Sequence, residues 1–358
     1  MIKTMSRISL GVLLSAAMAV SATAQNLDFP PVSFKIISGT LGTPGDILMK
    51  NAWKDMAGKT GGKVTVRVQS RTELGLKGPE VYRMAKLGVA EISSTAMQYS
   101  AGDVPQNDGV DITGLITDLD VGRKVSDAWL PHIKKAYTDK VGVELIGVFP
   151  IVAQVIWCAV PINGLEDLKG KKVRVSGVAL GKLINGLGAV ATTISFGEVV
   201  PSLQRKVIDC AVTGTTSGNL NKWPEVATHL LPLTTGWAFQ GVYVNKKWWD
   251  GVNANARKFI TDKFNAMFED GWKRAALETN HGIWCSVGDS RCDVNVPLKP
   301  LTKANLKLVK ATAADQEKLR RVAEKVVLPD FAKRCGKACS ADWTNTVGKI
   351  LGVKAMAQ

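Results

Sequence analysis

Histidine is scarce in this 358-residue chain, and the three present, His132, His229 and His281, stand far apart. Each falls in a helical or turn context that suits a surface or capping role, so no histidine-based relay is visible. The cysteines lack the CxxC and His pairing of zinc modules; CxxxC and CxxxxxxC spacings stand in their place. Beyond the N-terminal segment no stretch reaches about 18 uncharged apolar residues, which excludes a later membrane-spanning helix. Nucleotide and acyl-transfer motifs are missing as well. Gly58-Lys59-Thr60 has Trp53 where a phosphate loop needs its leading glycine, and Gly214-Thr215-Thr216-Ser217-Gly218 carries its serine one place too late for a nucleophile elbow. With neither base nor nucleophile nor cofactor signature, an enzyme is disfavoured, and no metal or cofactor is expected.

Acids are also in short supply. Lys and Arg number 46 against 31 Asp and Glu, a net charge of +15. The basic residues are spread along the chain without a clustered stripe or interleaved aromatics, which argues against nucleic acid and for a positive cleft that draws in anions.

What is present begins at the N-terminus. Lys3 and Arg7, the apolar run Ile8 to Val20, and Ala22-Thr23-Ala24 form the pattern of a secretory signal peptide over residues 1–24, cut after Ala24. The mature chain is then exported, and its six cysteines meet an oxidising compartment. Cys285 with Cys292 and Cys335 with Cys339 close short local loops around Gly288 and Gly336, leaving Cys158 for Cys210.

The most informative feature is a repeat. Glu80 to Thr95 (EVYRMAKLGVAEISST) aligns without a gap with Glu198 to Thr213 (EVVPSLQRKVIDCAVT), 118 positions on. Each copy reads as a helix, a tight turn and a buried strand, so two similar α/β lobes flank a cleft, with Thr95 and Thr213 facing each other beyond the strand ends. Gly170 to Val175 resembles Gly62 to Val68, pairing Arg174 with Arg67 at a spacing of 107 and implying 11 extra residues in the second lobe.

Around the repeat, Thr43-Pro44 followed by Asp46 marks a helix start with a capping hydroxyl, running to Gly61-Gly62. Val64, Val66 and Val68 alternate as a strand. Leu145 to Ile156, broken by Pro150, fits a strand leaving the first lobe. Trp237 to Val244 is strand-like, 253–279 is a long helix suited to bracing both lobes, and the charged tail Thr302 to Val326 reads as helix packed on the outside. The organisation expected is lobe 1 over 25–150 with part of 237–282, and lobe 2 over 151–236 with 283–358.

Arg174 ends a strand between Val173 and Val175, just before Ser176-Gly177. A buried guanidinium is costly unless an anion pairs with it, either an internal acid or a ligand carboxylate. Here the sequence resembles a known family. Glu166 to Val175, Ser195 to Val199, and Leu203-Gln204 through Asp209 are similar to signature blocks of the substrate-binding proteins of tripartite ATP-independent periplasmic (TRAP) transporters, and Leu74-Gly75 fits too. The resemblance implies a two-lobed α/β periplasmic binding protein fold of the Venus-flytrap kind, with crossing strands and a long helix joining the lobes. It implies a periplasmic receptor that closes over a small organic acid and delivers it to TRAP membrane permease subunits, without catalysis. Position by position, Arg174 matches the arginine that grips the carboxylate and Phe196 an aromatic lining the pocket. Gln154 stands where some members have a second arginine, and Thr213 where many have asparagine. One guanidinium fewer argues against a dicarboxylate and for a monocarboxylate, a hydroxy, sugar or aromatic acid. Trp157, Trp237 and Phe239 fall near the cleft by the same alignment, placed to stack on a ring. An ABC-type or sensor-linked receptor is the nearest alternative, and a secreted enzyme a more distant one.

Overall fold

The structure, a computed structural model, describes residues 27–296 and 299–357; the signal-peptide segment 1–24 lies outside them. Two sheets organise the chain. The strands are β1 (Val32–Ser38), β2 (Val64–Ser70), β3 (Ile92–Ala96), β4 (Val143–Phe149), β5 (Gln154–Cys158), β6 (Lys172–Val175), β7 (Val190–Thr193), β8 (Cys210–Gly214), β9 (His229–Gly236), β10 (Gln240–Asn245) and β11 (Lys307–Leu308). One sheet runs β2-β1-β3-β10-β4 and the other β11-β9-β5-β8-β6-β7. In the first, β2 and β3 lie parallel to β1, while β10 runs antiparallel between β3 and β4. This is a two-lobed α/β fold.

The repeat is visible in three dimensions. The helix Val81–Lys86 leads into β3, and Val199–Gln204 leads into β8. Both copies turn through a left-handed residue at the same place, Gly88 (φ 72°) and Lys206 (φ 57°). Both acids do the same work: Glu91 Oε2 accepts from the Lys35 N–H at 2.7 Å, and Asp209 Oδ2 from the Lys172 N–H at 2.8 Å. These contacts correct the sequence alignment upstream. β3 pairs with β1 at Ile36 and Ile92, and β8 with β6 at Val173 and Cys210, so β6 is the counterpart of β1, not of β2. The cap and its strand are 56 residues apart in the first lobe and 37 in the second, so the longer lobe is the first. Arg67, on β2, is exposed and has no equivalence to Arg174. A shared Gly-Lys-Val pattern recurs on any half-buried strand that follows a turn, and the short match aligned the wrong pair.

Two segments cross between the sheets, residues 150–153 from β4 to β5 and residues 237–239 from β9 to β10. They are joined by the Ile151 N–H, which donates to the Trp237 carbonyl at 3.3 Å. The strand expected from Trp237 thus begins only at Gln240. The long helix runs Ala254–Val287, further than expected, with the Asn253 side chain capping its start by accepting from the Asn255 N–H at 2.9 Å. It packs on β4 and the first helix on one side and on β9 and Thr215–Leu220 on the other. Gly282 makes the last contact possible, since a Cβ there would lie 2.6 Å from the Thr216 nitrogen.

Two other expectations shift. The first helix, Pro44–Ala52, stops at Trp53; Asp55 is left-handed (φ 54°), and a separate turn, Met56–Lys59, follows. The Thr43 hydroxyl does not cap the helix but donates to the Thr40 carbonyl at 2.7 Å. The tail lies at the surface but is only partly helical. After the extended 302–312 segment, the helix Ala313–Val322 opens on a Thr312/Asp315 capping box. Leu319, Phe331 and Trp343 are then buried in the largest core, against Pro105–Val110 and Leu119–Ala136 on one side and Val178–Gly186 on the other. The charge pattern of Ala313–Val322 marks its solvent face, and Leu319 with Ala323, four positions on, marks the buried one. Bridges join Cys158–Cys210, a facing pair on β5 and β8 with Cα atoms 4.0 Å apart, as well as Cys285–Cys292 and Cys335–Cys339.

The repeat yields a direct test of local strain. A left-handed non-glycine residue costs about 1 to 2 kcal/mol, partly offset by the flexibility glycine adds to the unfolded chain. Replacing exposed Lys206 by glycine, the residue its counterpart Gly88 already is, should stabilise the protein by about 0.5 to 1 kcal/mol. A denaturant midpoint that moves down in Lys206→Gly would show that the side chain, not the turn, governs this position.

Candidate functional site

Strand β6 alternates: Val173 and Val175 enter the large core, and Arg174 points to the opposite face. Its parallel neighbours there are Thr192 and Ala211, small enough to leave room for a guanidinium. Arg174 is 1% exposed. Its Nε donates to the Ile194 carbonyl at 2.9 Å and its Nη1 to the Val212 carbonyl at 2.8 Å, while buried Nη2 has no hydrogen-bond partner. No carboxylate pairs with it among the described residues. Burial pushes its pKa down, the Tyr99 hydroxyl opposes that shift, and the charge of Arg71 adds to it.

These groups line a chamber of about 60 Å³ between the lobes. From the second lobe come Arg174, Ser176, Phe196 and Thr213; from the first come Arg71, Thr95, Gln98 and Tyr99. Thr95 and Thr213, at matching points of the repeat, share this lining. The Arg174 guanidinium sits 5.9 Å from the centre of the Phe196 ring. Gln154 lies at the boundary with a second cavity, its Nε2 donating to the Val152 carbonyl at 3.3 Å.

The structure separates the remaining aromatic candidates from this chamber. Trp157 is fully buried on the far side of Trp223, which stacks on Phe196 at 5.5 Å; it supports the wall from behind. Trp237 lies in the core and lines neither cavity. Phe239 lines the second cavity instead. Trp157 shares the sheet face of Arg174 through their common neighbour Ala211 but stands behind Trp223 and Phe196, while Trp237 and Phe239 lie on a crossing segment rather than on a strand.

Arg71 was missed by the sequence reading, which ended its strand at Val68; the observed strand β2 runs to Ser70, and Arg71 follows it directly. It is 4% exposed, with Nη1 donating to the Leu76 carbonyl at 3.1 Å and Nη2 to Thr40 Oγ1 at 2.6 Å. Its guanidinium lies over the Tyr99 ring, 5.6 Å from the centroid. Gln98 and Ser176 were also missed. Gln98 Nε2 donates to Ser176 Oγ at 2.8 Å, a contact between the lobes. Beside it, a Cβ on Gly177 would stand 2.8 Å from the Gln98 carbonyl oxygen, so the lobes meet here at glycine distance.

The second cavity contains Asp111. Its Oδ2 accepts from the backbone N–H groups of Trp237 and Ala238, at 2.9 and 3.1 Å, and so fixes one of the crossing segments. The residue keeps some exposure, but Oδ1 is shut off from solvent without a partner. Burial, reinforced by nearby Asp108, raises its pKa from 3.8 to about 7 against the pull of the two N–H groups.

The profile of the bacterial extracellular solute-binding proteins, family 7, matches residues 42–327. The C4-dicarboxylate-binding periplasmic protein DctP of Rhodobacter capsulatus is 26% identical over 200 residues, 55% of this chain and 60% of its own length. The ectoine-binding periplasmic protein TeaA of Halomonas elongata is 24% identical over 213 residues, 57% and 61% of the two chains. The chain thus spans about three fifths of the length of these two relatives. Among solved structures, DctP7 of Bordetella pertussis, an extracytoplasmic solute receptor binding pyroglutamic acid, superposes with a TM-score of 0.76 at 20% identity, covering 90% of this chain and 99% of that one. A TRAP periplasmic solute binding protein of Desulfovibrio salexigens with bound orotic acid gives 0.77 at 20% identity, over 89% and 98%. At this identity the likeness concerns the fold.

Asp111 makes stability depend on pH in a known direction. Its folded pKa lies above its unfolded value, so its contribution is fully present below about pH 4 and is lost as pH rises through about 7. The ligand-free protein should lose melting temperature between pH 5 and pH 8 by more than the Asp111→Asn variant does. Parallel curves for the two proteins would mean that the carboxyl is ionised throughout.

Proposed function

The chain belongs to family 7 of the bacterial extracellular solute-binding proteins, and from that premise we propose that it is a periplasmic receptor that closes over a small organic acid and hands it to a TRAP membrane permease. One observation carries the reading: Arg174 is buried with an idle Nη2 and no acid beside it. A guanidinium so placed is unfavourable until an anion arrives, and a carboxylate accepts from it through two parallel bonds. Lobe closure excludes water and strengthens that pair.

The ligand we propose is a monocarboxylate whose one anionic group is held from both lobes. Arg71 approaches from the first and Arg174 from the second, and one carboxylate between them relieves their repulsion. Gln154 and Thr213 remain placed to bond hydroxyls or a further carbonyl. Ring stacking, if the ligand has a ring, falls to Phe196 and Tyr99 rather than to the tryptophans. Arg71 also restores a second positive group that the Gln154 position lacks, and this favours a dicarboxylate as the second reading.

Thermal-shift screening against organic acids, each paired with its neutral amide, tests the class, since binding raises the melting temperature by mass action. Acids should shift it and amides should not. Removing one partner of a buried pair costs about 3 to 5 kcal/mol, so Arg174→Ala should weaken binding of the best acid by roughly a hundredfold or more in calorimetry. Arg174→Lys should also bind poorly, because a point charge does not replace a planar fork. Near-normal affinity in Arg174→Ala would remove the anchor.

A further inference from the structure

Behind the arginine chamber lies the second cavity, of about 30 Å³, and the two share Gln98, Gln154 and Ser176 as a partition. Their charges are segregated. Among the described residues, the front chamber is lined by two arginines and no acid, the rear cavity by Asp108 and Asp111 and no base. Asp108 is matched by Arg334, whose Nη2 lies 2.7 Å from its Oδ2. Asp111 has no basic partner among the described residues.

Two acceptor atoms in the rear cavity are idle. Asn107 is 2% exposed, and its amide orientation is fixed because Nδ2 donates to the Met97 carbonyl and to the hydroxyls of Ser100 and Tyr137. Its Oδ1 is left without a partner on a residue that lines the cavity. Asp111 repeats the arrangement, with Oδ2 committed to backbone N–H groups and Oδ1 idle. Buried acceptors left unmatched are costly, and without a ligand Asp111 escapes part of that cost by holding a proton, which a cationic donor would let it release. The group that answers both is a donor carrying positive charge. Around it Val110, Leu180 and Phe239 supply apolar wall for a short carbon skeleton.

We propose that the rear cavity receives the ammonium group of a ligand whose carboxylate lies at Arg174, so that the cargo is a small zwitterionic amino acid. This rests on the receptor reading above and narrows it. The carboxylate end satisfies the arginines, the ammonium end satisfies Asp111 and Asn107, and the partition residues contact the skeleton between them. A hydroxy acid of the same size fills the space but brings an uncharged hydroxyl, not a cation, to Asp111.

The test uses the full mature chain, stripped of any bound solute by unfolding and refolding, and calorimetry with matched probes. The pairs are β-alanine and propionate, γ-aminobutyrate and butyrate, 5-aminovalerate and valerate, and proline and cyclopentanecarboxylate. In at least one pair the amino member should bind at least tenfold tighter than its partner. Asp111→Asn should cut that preference to threefold or less while the plain acid binds as before. Ala179→Leu, which narrows the same cavity without touching a polar group, should do likewise and guards against a folding defect in the first variant. Plain acids that bind the wild type as well as their amino partners in every pair would overturn the proposal and leave water as the occupant. Binding of no acid, or binding undiminished in Arg174→Ala, would instead bring down the receptor reading, and this proposal with it.

Discussion

A charge without a counter-charge governs this molecule. Arg174 is held by two backbone carbonyls, walled by Phe196, and given no carboxylate among the described residues. Ordinary stability would be better served by an apolar residue there. The neighbouring strands accommodate the guanidinium with Ala211 and Thr192 rather than neutralising it. The opposite lobe adds Arg71 to the same space. Positive potential is therefore built up in the cleft, and in the receptor proposed above a closed form would need an anion more than an open one. That difference in affinity between two states is what a ligand-driven closure requires.

Much of the plan was legible in the sequence because it is written twice. The helix, turn and strand of each copy recur with the same left-handed residue and the same acid capping a neighbouring strand's N–H. Repetition tests each local reading against a second example, and Thr95 and Thr213 accordingly share the chamber lining. Where the copies diverge, the reading slipped. β6 was matched to β2 because each follows Gly-Lys, whereas sheet order, which no local pattern contains, matches it to β1.

The site was legible in its anchor and less so in its walls. Arg174 could be chosen because a charged residue between valines at a strand end conflicts with burial. The aromatics could not be placed in the same way: Trp157 shares the face of Arg174, but Trp223 and Phe196 stand between it and the chamber, and no local pattern gives that depth. Trp157 and Arg174 lie on strands of one sheet, yet Trp157 meets Trp223 and never reaches the chamber. Asp111 gave no sequence signal at all. Its meaning comes from residues more than a hundred positions away, the backbone N–H groups of Trp237 and Ala238.

The position of β10 also constrains the order in which the chain becomes a protein. It lies in the interior of the first sheet, between β3 and β4, yet it is made after β5 to β9, which all belong to the other sheet. As the chain emerges from its N-terminus, β3 and β4 wait with open edges through about ninety residues of intervening sequence. The half begun first is thus finished later than the core strands of the half begun second, and neither the long helix nor the tail that seals both exists until then. Until β10 is made, the unpaired edges of β3 and β4 are the segments of the first sheet most in need of protection from other chains.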